Sequence, residues 1–268
     1  MNIKTFLISL EREKDRRAKV VHDLERLGLD YSIFNAVDGY SLTDKELKEL
    51  CDVEEIKNKG AWFTKGVIGC CLSHYMLYKK IIAEDLPYAF IIEDDVKLSD
   101  NIRELLVKAV EFISKDEVIL FYYQSDGIQC PLSNINSKVL VGKFKLHYPM
   151  LGNLNCTGAY LITKEACLAL TKIIPPIRIG ADDWSFFLHN GLKSLRLVYP
   201  RPIGMYDFRS TISDSSNFSK SLALKTINVI NQYKIFPFYQ LLVFRRKLYK
   251  IKLSDFVLVN LKSAMDNS

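Results

Sequence analysis

The run Glu93-Asp94-Asp95 places three adjacent carboxylates after the apolar stretch Ala89-Phe90-Ile91-Ile92 and before Val96. Neighbouring negative charges repel, so a cation or a network of donors must compensate them. A buried strand that delivers these groups at its C-terminal end makes a divalent-metal site able to hold a phosphate-bearing donor. The same residues also read as a solvated acidic turn. A second acidic centre is Gly180-Ala181-Asp182-Asp183-Trp184-Ser185. Asp182 is placed to cap the short helix that carries Phe186, Phe187 and Leu188, which leaves the second aspartate unexplained by structure.

A metal held by hard oxygen ligands can neutralise a diphosphate leaving group. An aspartate on the far side can accept the proton of an incoming hydroxyl. Together they suit glycosyl transfer from a nucleotide-sugar, and equally phosphoryl or nucleotidyl transfer. His22, His74, His147 and His189 show no zinc-ligand spacing. The nucleophile motif Gly-x-Ser-x-Gly is absent, and no Gly-x-Gly-x-x-Gly follows the first apolar run.

The elements that must position these groups begin with a β-rich run, Lys4 to Leu10, and a charged turn, Glu11 to Arg17. Val20, Val21, Leu24 and Leu27 then give a helix that Gly28 ends. A strand over Tyr31 to Ala36 and a turn at Val37-Asp38-Gly39 complete a strand-helix-strand unit, which predicts an α/β fold with a mainly parallel sheet. Ligands of such sheets bind beyond the C-terminal strand ends, where Arg16, Arg17, Asp38 and Gly39 fall. Thr43 to Ile56 reads as a peripheral helix with Leu42, Leu47, Leu50 and Val53 facing inward. Gly66 and Gly69 open a helix that runs to about Glu84, and small residues there let a helix N-terminus approach an anionic ligand. Ser73 and His74 lie about one turn in, although a lone helical histidine more often serves structure. Further on, strands are expected at Val118 to Tyr123, Ala159 to Ile162 and Leu192 to Tyr199, with a turn-rich stretch over Ser125 to Ser137. Val139 to Pro149 fits a strand or a long loop.

With 268 residues, 49% hydrophobic and 25% charged, the chain has the balance of a globular protein with a sizeable core. Its net charge of +6 permits anionic partners without naming one. The six cysteines form no CxxC pair and read as reduced thiols. The N-terminal apolar run is too short for a signal peptide, and no run reaches membrane-spanning length without charge. The expectation is a cytoplasmic protein. From Leu222 onward the chain mixes Arg245, Arg246, Lys247 and further lysines with Phe236, Phe238, Tyr239 and Phe244. That mixture suits a helical tail on an anionic membrane surface, or a hairpin packed on a second subunit in a homodimer. No nucleic-acid-binding module accompanies it.

The ordered pieces Ile8-Ser9-Leu10-Glu11-Arg12 with Asp15-Arg16-Arg17, Val37-Asp38-Gly39, Gly69-Cys70-Cys71-Leu72-Ser73-His74, Ile92-Glu93-Asp94-Asp95-Val96, Thr157-Gly158-Ala159-Tyr160 and Ala181-Asp182-Asp183-Trp184 resemble glycosyltransferase family 25, the bacterial lipooligosaccharide β-galactosyltransferase family. The similarity runs from about residue 2 to residue 215. It implies a GT-A-like, Rossmann-like nucleotide-sugar-binding domain over 1–215, and the composition of 216–268 adds a basic, aromatic-rich helical region. It also implies UDP-galactose as donor, Mn2+ or Mg2+ as cofactor, and inversion at the anomeric carbon. The acceptor would be a lipid-linked lipooligosaccharide, handled by a peripheral enzyme on the cytoplasmic face of the inner membrane. Carried onto this chain, Asp95 is the first choice of metal ligand, with Glu93 or Asp94 contacting the ribose or the metal through water. Ser9, Arg12, Arg16 and Arg17 fall near the nucleotide or its phosphates, Asp38 near uracil or ribose, and Ser73 and His74 against the donor. Asp182 and Asp183 are the candidates for the general base, with Asp183 favoured because Asp182 has the capping task. No histidine follows the last sheet strand, which leaves Asp207, or phosphates and water, for the final metal position. UDP-glucose or a UDP-N-acetylhexosamine is the alternative donor. A non-catalytic membrane-surface scaffold is the competing class, and it requires a closed site with its acids in surface pairs.

Overall fold

The computed structural model describes residues 3–125, 129–149, 154–207, 229–230, 232–241 and 256–260. The first half alternates as its apolar periodicity dictates: β1 (Thr5–Ser9), α1 (Lys14–Arg26), β2 (Tyr31–Asn35), a 3-10 turn at Gly39–Ser41, α2 (Asp44–Leu50), α3 (Val53–Lys59), α4 (Lys65–Ala83), β3 (Tyr88–Glu93) and β4 (Val96–Leu98). After α5 (Ile102–Phe112) come four consecutive strands, β5 (Glu117–Ser125), β6 (Gln129–Val141), β7 (Phe144–Pro149) and β8 (Leu154–Thr163). The remainder is α6 (Lys164–Ile173), α7 (Trp184–Asn190), β9 (Ser194–Tyr199), β10 (Ile203–Met205) and β11 (Phe256–Asn260).

Among the described residues, nine strands form one sheet in the order β11-β6-β7-β9-β5-β8-β3-β1-β2, and β4 pairs with β10 apart from it. Strand β1 lies parallel between β2 and β3, and β5 runs parallel to β9. The other pairings, β3 with β8, β5 with β8, β7 with β9, β6 with β7 and β6 with β11, are antiparallel. The sheet is therefore mixed, not mainly parallel as expected. The reason lies in the connections: parallel neighbours need a crossover, usually a helix, and none intervenes between β5 and β8. The expected turn-rich stretch at Ser125 to Ser137 is largely strand β6.

Each central strand feeds two cores by simple alternation. Phe6 and Ile8 of β1, Ile91 of β3, and Tyr160 and Ile162 of β8 pack on one face with Leu77 and Tyr78 of α4 and Trp184 of α7. Leu7, Phe90, Ile92, Ala159 and Leu161 pack on the other with Val20 and Leu24 of α1 and Leu105 of α5. Both faces of the sheet's middle are thus covered, as buried parallel strands require.

Two peripheral expectations change. The helix expected over Thr43 to Ile56 is two short helices, because Cys51 extends to pair with Ile177 and Asp52 caps the second one. Leu42 and Leu47 pack partly on the core, while Leu50 is exposed. In the tail, Phe256–Asn260 is a strand at the sheet edge rather than helix. The basic run Arg245-Arg246-Lys247 lies outside the described residues.

Candidate active site

Because β1, β2 and β3 run parallel, their C-terminal ends share one edge, and a cleft opens there. It encloses about 730 Å³ including its open mouth. Ser9 ends β1, and Arg12 and Arg16 lie just before and within the first turn of α1. Asp38, Gly39 and Tyr40 follow β2, Gly66, Cys70, Ser73 and His74 come from α4, Glu93 ends β3 and Asp94 and Asp95 form the turn after it; all line the cleft. Nine of the residues expected at the site therefore meet: Ser9, Arg12, Arg16, Asp38, Ser73, His74, Glu93, Asp94 and Asp95.

A close backbone approach shapes one wall. A Cβ on Gly39 would stand 1.7 Å from the Lys65 carbonyl oxygen, and one on Gly69 would stand 2.6 Å from Val37 O and Gly39 N. Gly39 and Gly69 serve the contact of α4 with the loop after β2, while Gly66, at the start of α4, lines the cleft. Ser73 secures the same contact: its hydroxyl accepts from Val37 N at 2.8 Å and donates to Gly69 O at 2.7 Å. Its place is on the cleft wall, but its hydroxyl is committed to the fold.

The acid cluster is not a solvated turn. Arg16 is 8% exposed and its Nη2 bridges Asp94 Oδ1 at 2.8 Å and Asp95 Oδ2 at 2.9 Å. Asp95 Oδ1 is buried and accepts no hydrogen bond among the described residues. Burial and then the charge of Glu93 push the Asp95 carboxyl up to about 7, against the pull of Arg16. Burial also raises Asp94, opposed by a hydrogen bond from Ser9 and by Arg16. Glu93 goes the other way: burial raises it, but hydrogen bonds from His74 and Thr157 outweigh that and hold it below the usual range. An unpaired buried oxygen with surplus negative charge around it fits a hard divalent cation.

His74 is 1% exposed, with Nδ1 2.6 Å from Tyr160 Oη and Nε2 3.3 Å from Glu93 Oε1. Thr157 Oγ1 donates to the same Glu93 oxygen at 2.5 Å. Cys70, one turn before His74 on α4, carries no local sign of this role, because its partner Glu93 comes from a different element. Cys70, His74 and Glu93 bring ligand atoms within 4.8 Å of one another, a set able to hold a metal ion. Burial, then Glu93, raises the Cys70 thiol far above its usual range, so it is protonated as it stands.

At the other end of the cleft Arg12 pairs with Asp38, whose Oδ1 also accepts from Tyr40 N at 3.1 Å. Arg17 is not in the lining. It donates to Ser9 O and Leu10 O, at 3.3 Å and 3.1 Å, and to Asn35 Oδ1, fastening the ends of β1 and β2. Asp182 and Asp183 lie outside the lining too. The capping task falls to Asp183, which is exposed and accepts from Phe186 N at 3.0 Å, and not to Asp182 as the sequence suggested. Asp182 Oδ2 instead accepts from Cys156 N at 3.0 Å, and burial raises its carboxyl, with Glu93 adding to the rise. Consecutive residues of β8, Cys156 and Thr157, thereby tie the two acidic centres together. After β10, Tyr206 N donates to Asp95 O at 2.7 Å, which brings exposed Asp207 close in sequence to that anchor.

A family model described as "Glycosyltransferase family 25 (LPS biosynthesis protein)" matches residues 2–185. A "Putative glycosyltransferase" of Haemophilus influenzae is 27% identical over 218 residues, 76% of this chain and 70% of that protein. Human "Procollagen galactosyltransferase 2" is 33% identical over 118 residues, 42% of this chain and 19% of that protein. Rat "Probable inactive glycosyltransferase 25 family member 3" is 34% identical over 112 residues, 40% of this chain and 20% of that protein. The match thus spans about a fifth of these mammalian relatives. Among solved structures, mannose-1-phosphate geranyltransferase from Thermus thermophilus aligns over 76% of this chain and 75% of its own at TM-score 0.36 and 10% identity, too distant to bear on function.

Proposed function

The chain belongs to glycosyltransferase family 25, and from that premise we propose that it is a metal-assisted, inverting glycosyltransferase with a GT-A-like fold that moves galactose from UDP-galactose to a lipooligosaccharide acceptor. The observation that carries this reading is the buried, unpaired Asp95 Oδ1 beside Arg16 on the floor of an open cleft. An open cleft with its acids paired to a buried arginine supports this reading over a non-catalytic scaffold, which would have a closed site with surface acid pairs.

The nucleoside end of the donor lies toward Arg12, Asp38 and Tyr40, and the diphosphate toward the acids. Asp95 and Glu93 would hold Mn2+ or Mg2+, and Asp207, next to the Tyr206 that bonds Asp95 O, is a candidate for a further ligand. When bound, the cation neutralises the charge that develops on the leaving diphosphate. Arg16 keeps Asp94 and Asp95 oriented and limits their mutual repulsion. The acceptor hydroxyl attacks the anomeric carbon on the face away from UDP, and an aspartate carboxylate oxygen takes its proton. A single displacement inverts the centre and needs no nucleophilic side chain. Asp183 is the base in this scheme: it is exposed and uses one oxygen for the cap. Asp182 is the competing choice, less suited because its Oδ2 is already bonded to Cys156 N and it is only partly exposed.

Among the described residues no helix is long and apolar enough to cross a membrane. The basic tail is assigned to an anionic membrane surface, where a lipid-linked acceptor resides on the cytoplasmic face. A second reading, nucleotide binding without transfer, is favoured by the relatives whose names call them inactive. One assay separates the two: UDP release from a panel of UDP-sugars with Mn2+ or with EDTA, using lipooligosaccharide acceptors. Turnover with UDP-galactose that EDTA abolishes is expected. UDP binding without turnover on any donor favours the second reading, and metal-independent turnover refutes the role given to Asp95.

A further inference from the structure

Four polar side chains run in single file from the cleft into the core. Glu93 Oε1 meets His74 Nε2 at 3.3 Å, His74 Nδ1 meets the Tyr160 hydroxyl at 2.6 Å, and that hydroxyl meets the Tyr78 hydroxyl at 2.8 Å. Only Glu93 is partly exposed; His74, Tyr160 and Tyr78 are 1%, 0% and 1% exposed. Strand β3 supplies the acid, α4 the imidazole and Tyr78, and β8 the middle hydroxyl. A buried polar group left without a partner costs about 1–3 kcal/mol. Phenylalanines at 78 and 160 would fill the same apolar space without that demand, so the file is set up for what stands at its end.

The chemistry of the file favours an N–H, and not a lone pair, at the end that faces Glu93. If the Tyr78 hydroxyl donates to Tyr160 and Tyr160 donates to Nδ1, the imidazole proton sits on Nε2 and faces the Glu93 carboxylate. With a neutral imidazole the reverse order would set an Nε2 lone pair against a carboxylate oxygen that already accepts from Thr157. Two acceptors would then confront each other in a buried place, which is costly. An imidazolium would still present Nε2–H to Glu93. The 3.3 Å separation between His74 Nε2 and Glu93 Oε1 is at the long end for such a bond, and bonds of this kind commonly tighten when a ligand closes a site.

The geometry points to His74 as a positioning residue: its Nε2–H, held in place by Tyr160 and Tyr78, fixes the orientation in which Glu93 meets the donor and its metal. His74 accordingly works from behind the acid and not as a direct contact of the donor sugar. This rests on the proposed function only for what Glu93 binds.

The test is calorimetric binding of UDP with Mn2+ to the full chain and its variants. Glutamine can carry an amide nitrogen as far as Nε2, whereas asparagine reaches only as far as Nδ1. His74→Asn is therefore expected to weaken binding roughly ten- to hundredfold, the range for losing a partner behind a metal-binding group. His74→Gln should restore most of that loss, and Tyr160→Phe should give a smaller loss. On a Glu93→Gln background His74→Asn should add nothing, since its effect passes through Glu93. Losses that add in full on that background, or glutamine and asparagine variants that behave alike, overturn the proposal and leave a structural role. If the wild-type chain binds no nucleotide, the proposed function fails instead. Imidazole 15N spectra then decide the inference alone, with His74 assigned by its absence in the Asn variant: a protonated Nε2 is expected, and a bare Nε2 overturns it.

Discussion

Arg16 Nη2 holds Asp95 Oδ2 at 2.9 Å, while the other oxygen of the same carboxylate is buried and accepts no hydrogen bond among the described residues. The arginine thus offsets the cluster's charge only in part, and the unmet oxygen is the feature a divalent cation would answer.

A pH dependence follows from the raised carboxyl of Asp95, which titrates at about 7. Its unfolded value is near 4, so the folded chain binds more protons between those values. The stability tied to this group is full below about pH 4 and is lost as pH rises through about 7. Asp94 and Asp182 shift in the same direction. Thermal scans of metal-free protein should show Tm falling from pH 5 to pH 8, and Asp95→Asn should remove part of the fall. Mn2+ should raise Tm more at pH 8 than at pH 5. A Tm that rises over that interval in the metal-free chain contradicts the assignment.

The contact between Gly39 and Gly69 sets a second expectation. Gly69→Ala puts a methyl 2.6 Å from backbone atoms of Val37 and Gly39, which cannot yield as a side chain would. Overpacking of this kind costs about 1–3 kcal/mol. Denaturation should show that loss, and UDP affinity should fall with it because the loop carrying Asp38 is displaced. Affinity unchanged in a destabilised variant would mean that the loop does not shape the nucleotide end.

The two aspartates near α7 can be separated by substitutions that spare their hydrogen bonds. Asparagine is as good a cap as aspartate, so Asp183→Asn should keep Tm, while Asp183→Ala should cost about 1 kcal/mol. With Asp183 as base, the Asn variant retains UDP binding and loses nearly all transfer. Asp182→Asn keeps an acceptor for Cys156 N and should retain transfer. If Asp182→Asn alone abolishes it, the base is Asp182.

Replacing Arg245, Arg246 and Lys247 with glutamine tests the surface role of the tail. Each basic residue near an anionic membrane contributes about 1 kcal/mol, so sedimentation with phosphatidylglycerol-containing vesicles should fall by roughly two orders of magnitude. UDP release with a soluble acceptor should persist. Equal sedimentation of both forms would rule out an electrostatic anchor.

Legibility in the sequence follows the range of each interaction. The strand that ends in Glu93, the α1 and α4 helices and the turn at Asp38 are set by neighbours within a few residues, and they are readable from local pattern. The antiparallel half is not, because a run of strands without crossover helices gives no local sign of its order. Asp183 takes the cap from Asp182 because helix α7 begins one residue later than expected, a boundary that local pattern leaves open.

The sequence by itself determined which residues are candidates for the chemistry and which strand ends, at Ser9 and Glu93, present them. It also determined the family, since the ordered motifs are linear. Only the tertiary structure decided their partnerships. Arg16 reaches Asp95 across 79 positions, His74 reaches Tyr160 across 86, and Arg17 fastens strands instead of facing the cleft. Such meetings depend on strand order and register, which placed β8 between β3 and β5 and so brought Thr157 and Tyr160 beneath Glu93. Periodicity governs which face a side chain takes, and packing of distant elements governs what it meets there.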